Sequence, residues 1–134
     1  MDYKLSKEEK LRSRTSVERL FSEGKSLMAF PLRAMYRLRQ PGESPAQFLI
    51  TIPKKRIRKA VLRVTLRRRT REAYRLNRRK LLLEPLAEQG YGVDIAFIYL
   101  DSTPAPYRVI NEKMTDLLKR IAAAAIEQQS STHE

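Results

Sequence analysis

The sequence predicts an α+β two-layer sandwich, and three observations carry that prediction. Residues 30–38, 47–52 and 93–100 have the alternation or the short apolar runs of β-strands. Residues 57–83 run without Gly or Pro and are dense in Arg, Leu and Ala, which favours a long helix. From residue 110 to 125 apolar side chains recur at helical spacing. The implied order is helix, strands, helix, strand, helix, so that one layer of helices covers one sheet and the long helix lies in a crossover between strands. A chain of 134 residues has the length of one domain, with flexible ends expected at about 1–10 and 128–134.

Taken in order, Thr15 and Glu18 have the spacing of a capping box, and Val17, Leu20 and Phe21 form the apolar stripe of a short helix. Gly24 is placed to end it in a left-handed conformation. In the strand that follows, Phe30, Leu32, Ala34, Tyr36 and Leu38 alternate with Arg33, Arg37 and Arg39, which implies one dry and one wet face. Residues 40–45 carry Pro41, Gly42, Ser44 and Pro45, the chemistry of a turn, so strands 30–38 and 47–52 are expected to pair as a hairpin closed by Pro53.

On the long helix, Leu62, Leu66, Thr70, Ala73 and Leu76 gather on one side, and Arg67, Arg71, Arg75 and Arg78 on the other. Pro85 and the run Gly90-Tyr91-Gly92 end it. Residues 93–100 are nearly all apolar, as expected of a central strand buried on both faces. Ile110, Met114, Leu117, Leu118, Ile121 and Ala125 form the inner face of the last helix.

Charge narrows the function. The formal net charge is +13, and residues 54–80 hold 14 Lys and Arg against one acid, Glu72, so the whole excess lies in that segment. Charge that serves solubility is spread out; a block of one sign marks a site for nucleic acid or an anionic membrane. A solvated helix face also intersperses Glu with Lys to gain i,i+4 pairs, whereas here Arg67, Arg71 and Arg75 repel one another at that spacing. A polyanion relieves that repulsion. Arg outnumbers Lys in the block, which suits bidentate phosphate recognition.

Catalysis by the chain itself finds little support. The only histidine is His133, in the expected tail, and the carboxylates are scattered with no metal-ligand spacing and no glycine-rich phosphate loop. Hence no catalytic and no metal-binding residue is assigned. The lack of cysteine leaves the redox compartment open; with no signal-like N-terminus and no apolar span, the expected location is cytoplasmic and no membrane partner is expected. A basic amphipathic helix on a membrane would be expected to carry Trp or Phe on its apolar face, and this one has neither.

The segment from Lys54 also carries a family resemblance. The elements Lys54-Lys55, Ala60-Val61, Arg63, Arg68 and Arg71-Glu72-Ala73-Tyr74-Arg75 closely resemble the signature of the bacterial ribonuclease P proteins. The likeness extends over about 110 residues: the segment 14–24 resembles the family's first helix, and residues 93–98 its following strand. Val64 and Thr65 depart from it, standing where the family usually has Asn and Arg, as does Arg58, where Gly is common.

The resemblance implies an αβββαβα order of the ribosomal-protein and elongation-factor-G domain-like kind, with a left-handed βαβ crossover. It implies a protein subunit of ribonuclease P, assisting a catalytic RNA that removes the 5′ leader of precursor tRNA with Mg²⁺ held mainly by the RNA. The partners are then that RNA and precursor tRNA, with no obligate protein partner. Arg56, Arg58, Lys59, Arg63, Arg67, Arg68, Arg71 and Arg75 are the expected contacts to the RNA subunit. Val17, Phe21, Tyr36, Lys54 and Lys55 are the expected contacts to the leader, in a cleft between the first helix and the sheet. A Phe on a helical apolar stripe is ordinarily core; the resemblance assigns Phe21 to the cleft instead. The rival reading is a general RNA-binding or RNA-chaperone protein, which shares the basic helix and needs no cleft.

Overall fold

A computed structural model describes residues 4–42 and 44–132, with side chains through residue 128. Helix α1 (Arg14–Glu23) is followed by strands β1 (Lys25–Ala29), β2 (Leu32–Arg39) and β3 (Ala46–Thr51). Helix α2 (Ala60–Arg78) passes through a π-helical turn (Arg79–Leu83) into α3 (Glu84–Gln89); β4 (Gly92–Tyr99) and α4 (Tyr107–Thr132) complete the chain. The strands form one sheet in the order β1-β2-β4-β3, with β3 and β4 parallel and the other pairs antiparallel.

The sandwich is as the sequence predicts, but its wiring differs. Strands β2 and β3 do not pair: β4 lies between them, and the hairpin is β1–β2 instead. The turn chemistry of Pro41, Gly42, Ser44 and Pro45 serves a crossing over the end of β4, organised by Arg39. Its guanidinium donates to the carbonyls of Gln40, Pro41 and Ser44 and to the Asp94 carboxylate at 2.8 Å. Gly92 is required beneath it, since a Cβ there would come within 2.5 Å of Arg39 Nη1 and 2.9 Å of Pro41 Cα.

Strand alternation sorts the core. Leu32, Ala34 and Tyr36 of β2, with Ile95 and Phe97 of β4, face the layer of α2 and α4. All six expected inner-face residues of α4 are buried there. Phe48, Tyr74 and Phe97 form its aromatic centre, with ring centroids 4.5 and 5.5 Å apart. The opposite face is not simply wet. Met35 and Ala96 pack with Leu11 and Leu20 into a second, smaller core under α1.

Helix α1 starts earlier than expected. Ser13, not Thr15, is its N-cap, accepting from the Ser16 amide, and the capping box of this region is Ser6 with Glu9. Gly24 is extended (φ −71°) rather than left-handed, and glycine is needed there for a close approach: a Cβ would lie 2.3 Å from the Leu20 carbonyl oxygen. Residues 4–10, expected to be flexible, are held down. Leu5 joins the main core, Glu9 pairs with Arg78 at 2.6 Å, and Lys10 bridges Phe48. At the other end α4 continues past residue 128; residues 1–3 and His133 lie outside the described residues.

Helix α2 departs most from its wheel. Leu66, Thr70, Tyr74, Arg78 and Leu82 are all buried, a row in steps of four. Such a row is inclined to the helix axis, so by Arg78 the packed stripe has moved onto the side a straight wheel assigns to solvent. Arg78 is therefore 2% exposed, and Leu76, expected to pack, is 41% exposed. The π turn, closed by the Glu84 amide donating to Arg79, carries the helix through Pro85, which has no N–H to give. Gly90 then ends it in the left-handed conformation (φ 76°).

Candidate nucleic-acid interface

The cationic surface begins at the end of β3. Pro53 accepts the amides of Arg56 and Ile57, folding Lys54, Lys55 and Arg56 into an exposed turn that leads to α2. Arg58 and Lys59 follow, also exposed, and Arg67, Arg68 and Arg71 stand exposed along the helix. Among the described residues none of these cations forms a salt bridge.

Two of the expected RNA contacts are engaged within the protein. Arg63 donates to the carbonyls of Ile57 and Arg58 at 2.9 and 2.7 Å, fixing the entry loop against the first turns of α2. Arg75 pairs with Glu72 through both Nε and Nη2, and this hydrogen bond holds the Glu72 carboxyl below its usual range. Arg69, which has no place among the expected contacts, donates to the Ala105 carbonyl at 2.6 Å and ties α2 to the segment before α4. Val61 and Val64 are exposed, so the apolar residue standing in place of the family's Asn faces solvent.

The expected leader cleft is only partly assembled. Val17 is half-buried in the small core under α1, and Phe21 is 47% exposed on the same helix. Lys54 and Lys55 stand at the end of β3, the strand whose Leu49 packs against that small core. Tyr36 does not join them. Its neighbours Met35 and Arg37 alternate toward α1, whereas Tyr36 belongs to the core on the α4 side and is 5% exposed. Burial raises its pKa, with Glu127 of α4 adding to the effect. The expectation that Phe21 and Tyr36 line one cleft is therefore corrected: they lie on opposite faces of the sheet. The reason is a one-residue matter of strand phase.

Sequence reasoning places Arg33 on the wet face of its strand and gives it no part in the site. It lies on the α1 side of β2 opposite Ile98, with Nε donating to Ser26 at 2.8 Å, and its alternation with Tyr36 is the signal that could have found it. Asp94 is absorbed into an apolar run, yet it is buried between Arg37 and Arg39 as the partner of both.

The paired carboxylates offer nothing to a divalent ion. Asp94, Glu9 and Glu72 are each engaged by arginine, and among the described residues no group of three His, Cys, Asp or Glu could hold a metal. Among them, too, no helix is long and apolar enough to cross a membrane.

Comparison with known proteins gives the family. A family model described as Ribonuclease P matches residues 5–122. The chain is 38% identical over 119 residues to the ribonuclease P protein component of Porphyromonas gingivalis, covering 88% of this chain and 86% of that one. To its counterpart in Chlorobaculum tepidum it is 36% identical over 95 residues, 66% of this chain and 62% of that one. The solved RNase P protein from Thermotoga maritima is similar with a TM-score of 0.65 at 28% identity, covering 84% of this chain and 96% of the other. The Staphylococcus aureus protein shares the fold, with a TM-score of 0.64 at 17% identity over 84% of this chain and 94% of that one.

Proposed function

The chain belongs to the ribonuclease P protein family, and from that premise we propose how its surface serves the enzyme. It is the protein subunit of the ribonucleoprotein that matures the 5′ end of tRNA. Arg56, Arg58, Lys59, Arg67, Arg68 and Arg71 bind the RNA subunit through its phosphates. Arg63 shapes the loop that presents them, and Arg75, paired with Glu72, contributes at the margin. The observation that carries this reading is the run of exposed cations at Lys54, Lys55, Arg56, Arg58, Lys59, Arg67, Arg68 and Arg71, in no salt bridge among the described residues.

Precursor tRNA is the substrate in this reading, and its single-stranded leader lies beside α1, where Phe21 offers an exposed ring and Val17 an apolar flank. Lys54 and Lys55 meet leader phosphates. Stacking on an exposed aromatic is worth roughly 1 to 3 kcal/mol per base and tolerates any sequence. Tyr36, on the far face, supports the sheet. Hydrolysis and the Mg²⁺ that serves it belong to the RNA. The protein's contribution is electrostatic: it lowers repulsion between two polyanions and aligns one against the other. The working location is the bacterial cytoplasm.

Adding the protein to its ribonuclease P RNA at low Mg²⁺ restores cleavage at the mature 5′ end of a precursor tRNA. Phe21→Ala reduces that gain for substrates with leaders of several nucleotides and leaves short-leader substrates unaffected. Binding of the RNA with no gain in cleavage contradicts the reading and leaves a general RNA-binding protein.

A further inference from the structure

The outward face of α2 begins with a stretch that carries no charge. Ala60, Val61 and Val64 are exposed there, Val61 at 69% and Val64 at 48%. Beside them Thr65 donates its hydroxyl to the Val61 carbonyl at 3.0 Å, and Arg63 turns back to the carbonyls of Ile57 and Arg58. What these first turns present outward is methyl groups. Cations stand at both ends of the stretch: Arg58 and Lys59 precede it and Arg67 and Arg68 follow, all exposed and, among the described residues, in no salt bridge. Lys59, the N-cap, and Arg67 are about 12 Å apart along the helix axis.

Neither packing nor helix propensity accounts for the two valines. At these exposures they fill no core, and β-branched Val is a weaker helix former than the Arg, Leu and Ala around it. One exposed apolar residue is ordinary. Two at i,i+3 spacing are neighbours on the helix surface, and with cations at both ends they meet whatever the cations bind. The shape of the face narrows that partner. An outward helix face is convex, so it has no walls to enclose an unstacked base. It can lie against the wide, shallow minor groove of double-helical RNA, where ribose carbons and base edges line the surface and a phosphate strand runs along each border. Methyl groups fit ribose carbons without leaving a donor or acceptor of their own unpaired.

We propose that Val61 and Val64 pack on riboses in the shallow groove of a double-helical segment of the RNA subunit, with Arg58 and Lys59 holding phosphates of one strand and Arg67 and Arg68 those of the other. This rests on the reading of the chain as a ribonuclease P subunit and deepens it, naming the RNA feature that the start of α2 meets. The contact is apolar at its centre and ionic at its margins. Its affinity therefore has a part that salt weakens and a part that salt leaves alone.

The test compares full-length wild-type protein with the double variant Val61→Ala/Val64→Ala for binding to its ribonuclease P RNA. Alanine is the better helix former and both sites are exposed, so the variant keeps its fold and its melting temperature. Its affinity falls roughly five- to twentyfold, the effect of removing methyl groups from a covered surface, while the slope of log K against log salt is unchanged. Val61→Ile/Val64→Ile, which keeps the apolar surface, binds within about threefold of wild type. Arg68→Gln gives the opposite pattern, a slope lowered by about 0.7 to 0.9. Hydroxyl-radical footprinting of the RNA locates the contact: wild type protects riboses on both strands of one helical segment, and the alanine variant loses that protection while the rest of the footprint stays. Unchanged affinity of the alanine variant overturns the proposal. So does a loss of affinity accompanied by a lower salt slope, or a valine-dependent footprint confined to unpaired nucleotides. If wild-type protein still restores cleavage in those cases, only the valine contact has failed. Absence of that stimulation strikes the functional reading instead.

Discussion

Helix α2 carries two populations of arginine whose comparison explains much of the protein. Arg78, Arg69 and Arg63 turn inward or along the surface to specific acceptors: the Glu9 carboxylate, the Ala105 carbonyl, and the carbonyls of Ile57 and Arg58. Arg67, Arg68 and Arg71 stand exposed and, among the described residues, enter no salt bridge. The first group holds the N-terminal segment, the α4 lead-in and the entry loop against one helix. The second adds charge that the folded protein does not need. Identical side chains on one element thus divide into those engaged by acceptors within the protein and those left to the proposed RNA contact, and the inclined row of buried positions draws Arg78 into the first group.

That division can be broken most severely at Arg78. Its guanidinium and the Glu9 carboxylate are 3% and 13% exposed, and removing one member of a buried pair costs about 3 to 5 kcal/mol because the other charge is stranded. Arg78→Ala is expected to lower unfolding stability by about 3 kcal/mol in urea denaturation. A change below about 1 kcal/mol would move Arg78 into the solvent-facing group.

The same pair makes a pH prediction. Burial pushes the Glu9 carboxyl up, but hydrogen bonds from Arg78 and Ser6 and the Arg78 charge together bring it below its ordinary value. A carboxyl lowered in the folded state contributes stability that is in place above its unfolded-state value and fades as pH falls through the folded one. Glu9→Gln therefore removes part of the acid sensitivity between neutral and strongly acidic pH, seen as a flatter Tm-against-pH curve. An unchanged curve would show that the ion pair is not coupled to folding.

Arg69→Ala is expected to cost about 1 kcal/mol, the net worth of its hydrogen bond to Ala105, with RNA binding weakened by no more than the removal of one charge. At the small end, replacing Arg56, Arg58 and Arg68 together by Gln shifts stability by less than about 0.5 kcal/mol in thermal melts, in the stabilising direction as self-repulsion falls. A large loss there would erase the distinction between the two groups.

How much of this can be read from the chain differs by element. The stripe of α4 and the double burial of β4 are local patterns, and the structure reproduces both. The segregated charge of residues 54–80 is equally plain, because net charge needs no geometry to be seen. β1 escapes the pattern: it is an outer strand, mostly exposed from Lys25 to Ala29, so it shows little alternation. The insertion of β4 between β2 and β3 is a long-range choice that no residue of the connecting turn encodes. Arg78 falls on the wrong side of a wheel because a wheel treats a helix as straight and a packed ridge as parallel to its axis. In the site, Lys54, Lys55 and the exposed arginines follow from charge and family likeness, whereas assigning Tyr36 to the cleft ignores which face its position in the strand gives it.

The most direct test of this division of labour is the salt dependence of binding to ribonuclease P RNA by the Arg56, Arg58 and Arg68 triple Gln variant, measured beside its melting temperature. Without three of its cation–phosphate pairs, the complex should show a slope of log K against log salt reduced by about 2, with the melting temperature unchanged or slightly raised. An unchanged slope, or a slope that falls only because the variant unfolds, would contradict the assignment of these arginines to RNA.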